Sequence, residues 1–324
     1  MSSDRAVGVP GPDDASDLVS VVLPTHDRPA RLPGAIRSVL AQTYRRLELI
    51  VVDDASSEPV DEVVAAAAGG DERVRLLRLP RNLGASGARN AGIAEARGSV
   101  LAFLDDDDRW EPSKLEQQVA YFDRHPDVGL VTCDYVIERE GTGAPPLRFR
   151  GPPAFSAEQL LWVNFAGSFS LVALRRSLVG DELHIDETFV AAEDWDLWLR
   201  CARHGAAASV LEPLVRQVGH AGPRLTDAEH LEPGLARFAA KHADAMSDAC
   251  RAFQAAHLDM GAGRGWRKRA RVGRALAARD PRASAVLVLE QLARQTGRVR
   301  RDPGLTYRVL ARAIPSAPRP RVPA

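Results

Sequence analysis

Four consecutive carboxylates, Asp105, Asp106, Asp107 and Asp108, follow directly on the apolar run LAFL at residues 101–104. Neighbouring carboxylates repel one another, and a run apolar enough to be buried holds that charge at the mouth of a core. A divalent cation relieves it: Mg2+ and Mn2+ favour oxygen ligands, and Mg2+ is commonly held by one or two carboxylates together with substrate phosphates. The stretch therefore reads as a metal–diphosphate site at a strand end, with a solvated acidic loop as the plain alternative. A second acidic pair, Glu193 and Asp194, opens the amphipathic stretch AEDWDLWLRCARHG at residues 192–205. Taken alone, acids in the first turn of a helix serve its dipole.

The elements that must position these residues follow from hydrophobic period. Residues 18–23 (LVSVVL) predict a buried strand ended by Pro24; Leu32, Ala35, Ile36, Val39 and Leu40 then repeat at helical spacing, with Pro33 in the first turn. Residues 47–52 predict a second strand ending in Asp53 and Asp54, residues 61–68 a helix, and residues 74–79 a third strand. The loop PRNLGASG opens a helix over about residues 88–97, stopped by Gly98 as a left-handed cap, and residues 99–104 form a fourth strand. Pro112 suits the first position of a helix carrying Leu115, Val119 and Phe122, and residues 128–137 suit a long strand before a polar loop over 138–153. Residues 157–174 mix helix and strand signals that period does not separate. The 192–205 helix buries Leu197, Trp198 and Cys201 and stops at Gly205.

Alternating strands and helices with near-continuous apolar strands point to an α/β fold, a mostly parallel sheet covered on both faces. Ligands bind beyond the carboxyl ends of such strands. Asp27, the Asp53–Asp54 pair, Arg81 with Asn82, and the four aspartates each follow a strand, so all converge on one edge. Asp27 alone is as readily a turn residue; the repeated placement argues for a site.

The chain of 324 residues suffices for one large domain or two ordinary ones, and 43 basic against 43 acidic side chains give no global electrostatic case for nucleic acid. Cys133, Cys201 and Cys250 are odd in number and far apart, which argues against a disulfide framework or a paired-cysteine zinc site and for reduced, buried thiols. No charged start followed by an apolar run suggests a secretory signal, and the longest uncharged run, residues 159–174, is too short to span a bilayer. The expectation is a soluble cytoplasmic protein. Residues 1–17 read as a disordered leader, residues 18–225 as the catalytic domain, and residues 226–324 as a helical, Arg-rich region with helical period at Leu235, Phe238 and Ala239. Its basic cluster, Arg264, Arg267, Lys268, Arg269, Arg271 and Arg274, reads as a solvated cap, an arm for a homodimer, or a peripheral contact with anionic lipid, at about 1 kcal/mol per basic residue.

The segments VVLPTHDRP, LIVVDDAS, NLGASGARNAG, FLDDDDRWEPSKL and AEDWDLWLR, in this order and spacing, resemble the family 2 glycosyltransferases over about residues 18–220. The resemblance implies the GT-A (Rossmann-like) fold, inversion, a nucleotide-sugar donor, most often a UDP-sugar, and Mn2+ or Mg2+. By position it implies that Pro24, Thr25 and Asp27 border the nucleoside pocket and that Asp54 contacts the base or ribose. Asp105, Asp106 and Asp107 align with the DXD element: Asp107 as direct metal ligand, Asp105 nearer the ribose or a bridging water, Asp106 beside them on the donor. Asp194 becomes the base that takes the acceptor proton, with Glu193 orienting it or the acceptor. Arg89 and Asn90 stabilise their loop or reach the diphosphate. Trp195 stacks on an acceptor sugar or packs in the core, Trp198 packs, and Asp108 serves the turn before Pro112. His220 is carried over as a diphosphate or metal contact, although Val215-Arg216-Gln217-Val218-Gly219-His220 lacks the Tyr-Arg pair of many relatives. Without a QxxRW element, transfer of a single sugar to a glycan, lipid-linked or small-molecule acceptor is the better reading. A nucleotidyltransferase, which needs no base at Asp194, and a catalytically idle nucleotide-sugar binding module are the rivals.

Overall fold

Strands β1 (Val19–Thr25) and β2 (Leu47–Asp53) are buried at all seven positions each, as unalternating apolar runs require of strands covered on both faces. They begin the chain in a computed structural model that describes residues 18–141, 143, 145–219, 228–261 and 314. The leader over residues 1–17, His220 and the basic cluster after residue 262 fall outside the described residues. The remaining strands are β3 (Val74–Arg78), β4 (Val100–Phe103), β5 (Arg109–Trp110), β6 (Val128–Arg139), β7 (Leu147–Phe149), β8 (Ala154–Phe155), β9 (Ala173–Arg175) and β10 (Ala206–Gly219). The helices are α1 (Leu32–Leu40), α2 (Asp61–Ala68), α3 (Gly84–Glu95), α4 (Lys114–Arg124), α5 (Ala157–Leu160), α6 (Arg176–Val179), α7 (Glu193–Cys201), α8 (Ala228–Lys241) and α9 (Asp248–Gly261).

The strands form one sheet in the order β3-β2-β1-β4-β9-β6-β10-β5, with β7 on β6 and β8 on β10. β3, β2, β1 and β4 are parallel; β9 runs against both β4 and β6; β6 and β10 are parallel to each other. All the strands but the short β5, β7, β8 and β9 therefore point the same way, and their carboxyl ends share one edge. This is the mostly parallel α/β sheet expected, interrupted between β4 and β6 by the antiparallel β9.

Several local expectations shift. Pro24 does not end β1, which pairs with β2 as far as Thr25. The ladder to β4 stops instead: Leu104 N donates to Val22 O at 3.0 Å, and the next bond would need the N–H that Pro24 lacks. Gly98 is not a left-handed cap. α3 ends at Glu95 with an extended cap residue, Ala96, and Gly98 is needed because a Cβ there would lie 2.4 Å from Leu18 O and 2.7 Å from Ser20 N. α3 also begins four residues before the expected start, at Gly84, and Pro112 precedes α4 by two residues, with Ser113 as N-cap. α7 stops at Cys201 rather than at Gly205. The polar loop over 138–153 contains β7, and the ambiguous stretch 157–174 resolves into α5, a 3-10 turn at Phe169–Leu171 and the start of β9. β10 has no counterpart in the sequence reading; its Pro213 sits between two register shifts against β6, where a bulge tolerates a missing donor.

The core runs from both faces of the sheet into α7, α8 and α9, where Leu235, Phe238, Met246, Cys250 and Phe253 are buried. All three cysteines are buried and free. Among the described residues, no helix is long and apolar enough to cross a membrane.

Candidate active site

The acidic run forms one tight turn beyond β4. Asp105 N donates to Ser170 Oγ at 3.0 Å, and Asp108 N donates to Asp105 O at 3.1 Å, closing the turn. Its side chains then diverge. Asp106 and Asp108 are buried, whereas the side chains of Asp105 and Asp107 stay 30% and 17% exposed. Thr25 Oγ1 donates to Asp106 Oδ2 at 2.8 Å, and Arg28 Nη1 lies 3.2 Å from Asp106 Oδ1 and 3.3 Å from Asp107 Oδ2. Gln217 Nε2 reaches Asp108 Oδ2 at 3.4 Å and donates to Ser168 Oγ at 2.8 Å. Burial pushes the Asp106 carboxyl up to about 6, against the bond from Thr25 and the charge of Arg28. Burial, followed by the charge of Asp105, raises Asp108 well above the carboxylate range. Asp106 thus faces inward as an anchor, and Asp108 is tied to β10 rather than only to the turn before Pro112.

The first two strand ends are stapled together. Asp27, at φ 52°, accepts from Ser57 N at 2.7 Å and Ser57 Oγ at 2.8 Å, and its own N–H donates to Ser56 Oγ at 3.0 Å. Those bonds from Ser57 hold its carboxyl below the usual range. A left-handed aspartate is uncommon but favoured over most residues there. Pro24 and Thr25 end β1, two residues before it. Asp53, fully buried, accepts from Ser56 N at 2.9 Å; its Oδ2 has no hydrogen-bond partner, and Arg78 Nε lies 3.6 Å away. Asp54 is buried and accepts from Leu83 N at 2.7 Å, fixing the loop into α3, and Asn82 Oδ1 accepts from Gly84 N at 2.9 Å. Arg81 is exposed.

Across the edge lies the start of α7. Its N-cap, Ala192, is left-handed at φ 64°, which swings Glu193 and Asp194 into the first turn. Arg89 on α3 joins the two acidic groups. Only 5% exposed, it donates Nη2 to Asp105 Oδ1 at 2.6 Å, places Nη1 3.8 Å from Glu193 Oε1, and lays its guanidinium 3.9 Å from the centre of the Phe169 ring. Its Nε and Nη1 are buried without a hydrogen-bond partner. Asp194 accepts from Trp195 N at 2.5 Å. Burial and then the neighbouring Glu193 push its carboxyl up to about 8, opposed by Trp195 N and Arg89. A carboxyl poised near neutrality is suited to general acid–base work.

Trp195 does not offer a stacking face to an acceptor. It is buried, donates Nε1 to Leu160 O at 2.5 Å, and stacks on Phe238 of α8 at 4.3 Å between ring centres. Trp198 packs in the core, against Phe103 and Phe169. Asn90 holds its own surroundings: Nδ2 donates to Ile185 O at 2.9 Å and Oδ1 accepts from Ile185 N at 2.8 Å. Sequence reasoning did not single out Arg28, Ser170, Phe169 or Gln217. Arg28 stands in the quoted VVLPTHDRP segment; the other three carry no local signal.

Among the described residues no three His, Cys, Asp or Glu side chains converge as a closed metal site. The turn fits the other kind of site, in which one or two carboxylates, here the partly open Asp105 and Asp107, are completed by phosphate oxygens.

Residues 20–181 match the family described as Glycosyl transferase family 2. The chain is 33% identical over 182 residues to the UDP-Glc:alpha-D-GlcNAc-diphosphoundecaprenol beta-1,3-glucosyltransferase WfgD of Escherichia coli, covering 56% of this chain and 68% of that protein. Two other curated relatives are matched over less of their length, 20% and 61%. The fold superposes on S. aureus TarS 1–349 in complex with UDP at TM-score 0.60 and 16% identity, over 91% of this chain and 90% of that one. It superposes on the mannosyltransferase PcManGT of Pyrobaculum calidifontis in complex with GDP-Man and Mn2+ at TM-score 0.57 and 20% identity, over 91% and 84%.

Proposed function

The chain belongs to glycosyl transferase family 2, and from that premise we propose that it moves a single sugar from a nucleotide-sugar donor to an acceptor hydroxyl, with inversion and with Mn2+ or Mg2+ at the donor diphosphate. The observation that carries this reading is Arg89, whose buried guanidinium bridges Asp105 on the donor side and Glu193 beside Asp194. One cation thus sets the spacing between a diphosphate-side acid and a base.

In this reading Pro24, Thr25, Asp27 and Asp54 shape the nucleoside pocket, where the Asp27–Ser57 staple fixes its width. Asp107 would hold the metal ion, with Asp105 nearer the ribose or a bridging water and Asp106 anchoring their turn. When bound, the ion supplies positive charge beside the departing diphosphate, which helps most where charge develops. The acceptor oxygen attacks the anomeric carbon, the bond from that carbon to the diphosphate oxygen breaks with its electron pair, and the acceptor proton passes to Asp194. Glu193 keeps Asp194 basic by repulsion. His220 as a further contact lies outside the described residues.

A UDP-sugar is the proposed donor, supported by the UDP complex of TarS and the UDP-Glc in the name of WfgD. A lipid-diphosphate-linked glycan is the proposed acceptor class, supported by the acceptor in that same name; it calls for work at a membrane surface. The test is Asp194→Asn. Transfer should fall by roughly 10²–10⁴, the usual contribution of a general base, while Mn2+-dependent UDP binding is kept. Unchanged turnover would overturn Asp194 as the base, and a wild-type chain that neither transfers nor hydrolyses any donor in a broad panel would favour a binding module.

A further inference from the structure

The helix that carries Glu193 and Asp194 is gripped from behind by α8, which lies beyond the stretch matching the family. Contacts at four positions, Asp186, Ala191, Trp195 and Asp196, bracket Asp194. On the loop leading into α7, Lys241 Nζ lies 2.8 Å from Asp186 Oδ2 and Arg237 Nη2 lies 3.6 Å from it. Nearer the helix, Gly234 presses on the chain so closely that a Cβ there would lie 2.2 Å from Ala191 O. Directly after Asp194, Phe238 stacks on Trp195. One residue further, the fully buried Asp196 receives Lys241 Nζ at 2.9 Å, His242 Nε2 at 2.8 Å and Arg200 Nε at 2.9 Å.

These contacts have a geometric consequence. Residues two apart on a helix point about 200° from one another, so a grip on Asp196 leaves Asp194 turned away, toward Arg89. A left-handed alanine such as Ala192 persists only where its surroundings over-determine it, and Gly234 and Lys241 hold the chain on both sides of it. Although burial alone would raise the Asp196 carboxyl, the bonds from His242, Lys241 and Arg200 hold it down to about 2, so the anchor stays charged.

We propose that α8 is a clamp that positions Asp194 for proton transfer, with Lys241 as its positioning residue. The inference rests on the reading of Asp194 as the base. In the full chain, assayed with Mn2+ and a UDP-sugar that the wild type turns over, Lys241→Met should lower kcat roughly ten- to a hundredfold, with donor KM and UDP binding changed by no more than about twofold, because a small misplacement costs rate rather than donor affinity. Lys241→Arg should restore most of the loss. In the Asp194→Asn background Lys241→Met should remove nothing further from the residual rate, since both act through one group. An unchanged kcat, or an equal loss in both backgrounds, overturns the clamp. If Lys241→Met shows no cooperative thermal transition, Gly234→Ala decides, because it displaces Ala191 without removing a charge: the same loss confined to kcat supports the clamp, and an unchanged kcat overturns it. An active Asp194→Asn chain overturns the base assignment and the clamp with it, whereas an inactive one beside an unaffected Lys241→Met chain overturns the clamp alone.

Discussion

Asp194 is held in the fold with its proton favoured, and that preference has opposite consequences for rate and for stability. A base must be deprotonated to act, so kcat/KM should rise with pH through an acid limb near 8 for the unliganded chain, read from a pH–rate profile. Stability runs the other way. With the folded pKa above the ordinary value of about 3.9, the penalty for the charged form is absent below pH 4, grows as pH rises, and is complete above the folded pKa. Asp194→Asn should therefore raise the melting temperature by an amount that increases between pH 4 and pH 8; a difference flat with pH would contradict the burial of that charge. At this scale, residues with a distinctive local signal are the legible ones. Asp105 and Asp107 announce themselves as a charged run after an apolar strand, and Asp194 emerges through the resemblance. Gln217 is 109 residues from the Asp108 it binds, and nothing in its neighbours marks it. Trp195 and Trp198 share one amphipathic stretch, and what separates acceptor face from core is the docking of α8, a tertiary event.

Among the elements, the N-terminal strands are legible because their apolar runs are continuous. β10 escapes notice because Ala206–Gly219 opens with alanines and carries Pro213 at its bulge, so period and propensity both point away from a strand. Gly98 shows how a correct boundary can rest on a wrong cause. It does mark the end of α3, yet its role is close approach: its N–H donates to Ser20 Oγ at 2.7 Å, and the neighbouring Arg97 and Ser20 side chains converge on the buried Glu48. Gly98→Ala should cost about 1–3 kcal/mol by overpacking. Because Gly98 lies at the amino end of β4, away from the acidic turn, the loss should appear as a lower denaturation midpoint with kcat preserved at low temperature.

For the whole molecule, the α8–α9 pair belongs to the same core as the sheet. Phe238 covers Trp195, Phe253 lies against Trp162 at 5.4 Å, and Gln254 Nε2 donates to Leu161 O at 2.6 Å. A chain ended after residue 225 leaves those tryptophans without cover. Each large apolar side chain withdrawn from a core forfeits about 1.5–3 kcal/mol, so such a chain should melt far lower than the full one and bind a hydrophobic dye, as thermal unfolding with dye fluorescence would show. The helical period at Leu235 and Phe238 is legible, but where that face docks is not, because period gives a face and never its partner.

The antiparallel β9 also bears on how the molecule is made. β4 is complete at residue 103, but the strand that joins it to β6 arrives only at residue 173, and Ser170, which orders the Asp105 backbone, comes 65 residues after its partner. As the chain emerges from the ribosome, β1 to β4 can pair with one another while the acidic turn still lacks its tether and α7 does not yet exist. Long-range pairings of this kind form late. Synthesis therefore builds the half that carries β1 to β4 first, and the tether of the acidic turn and Arg89's second contact, to Glu193, follow only later.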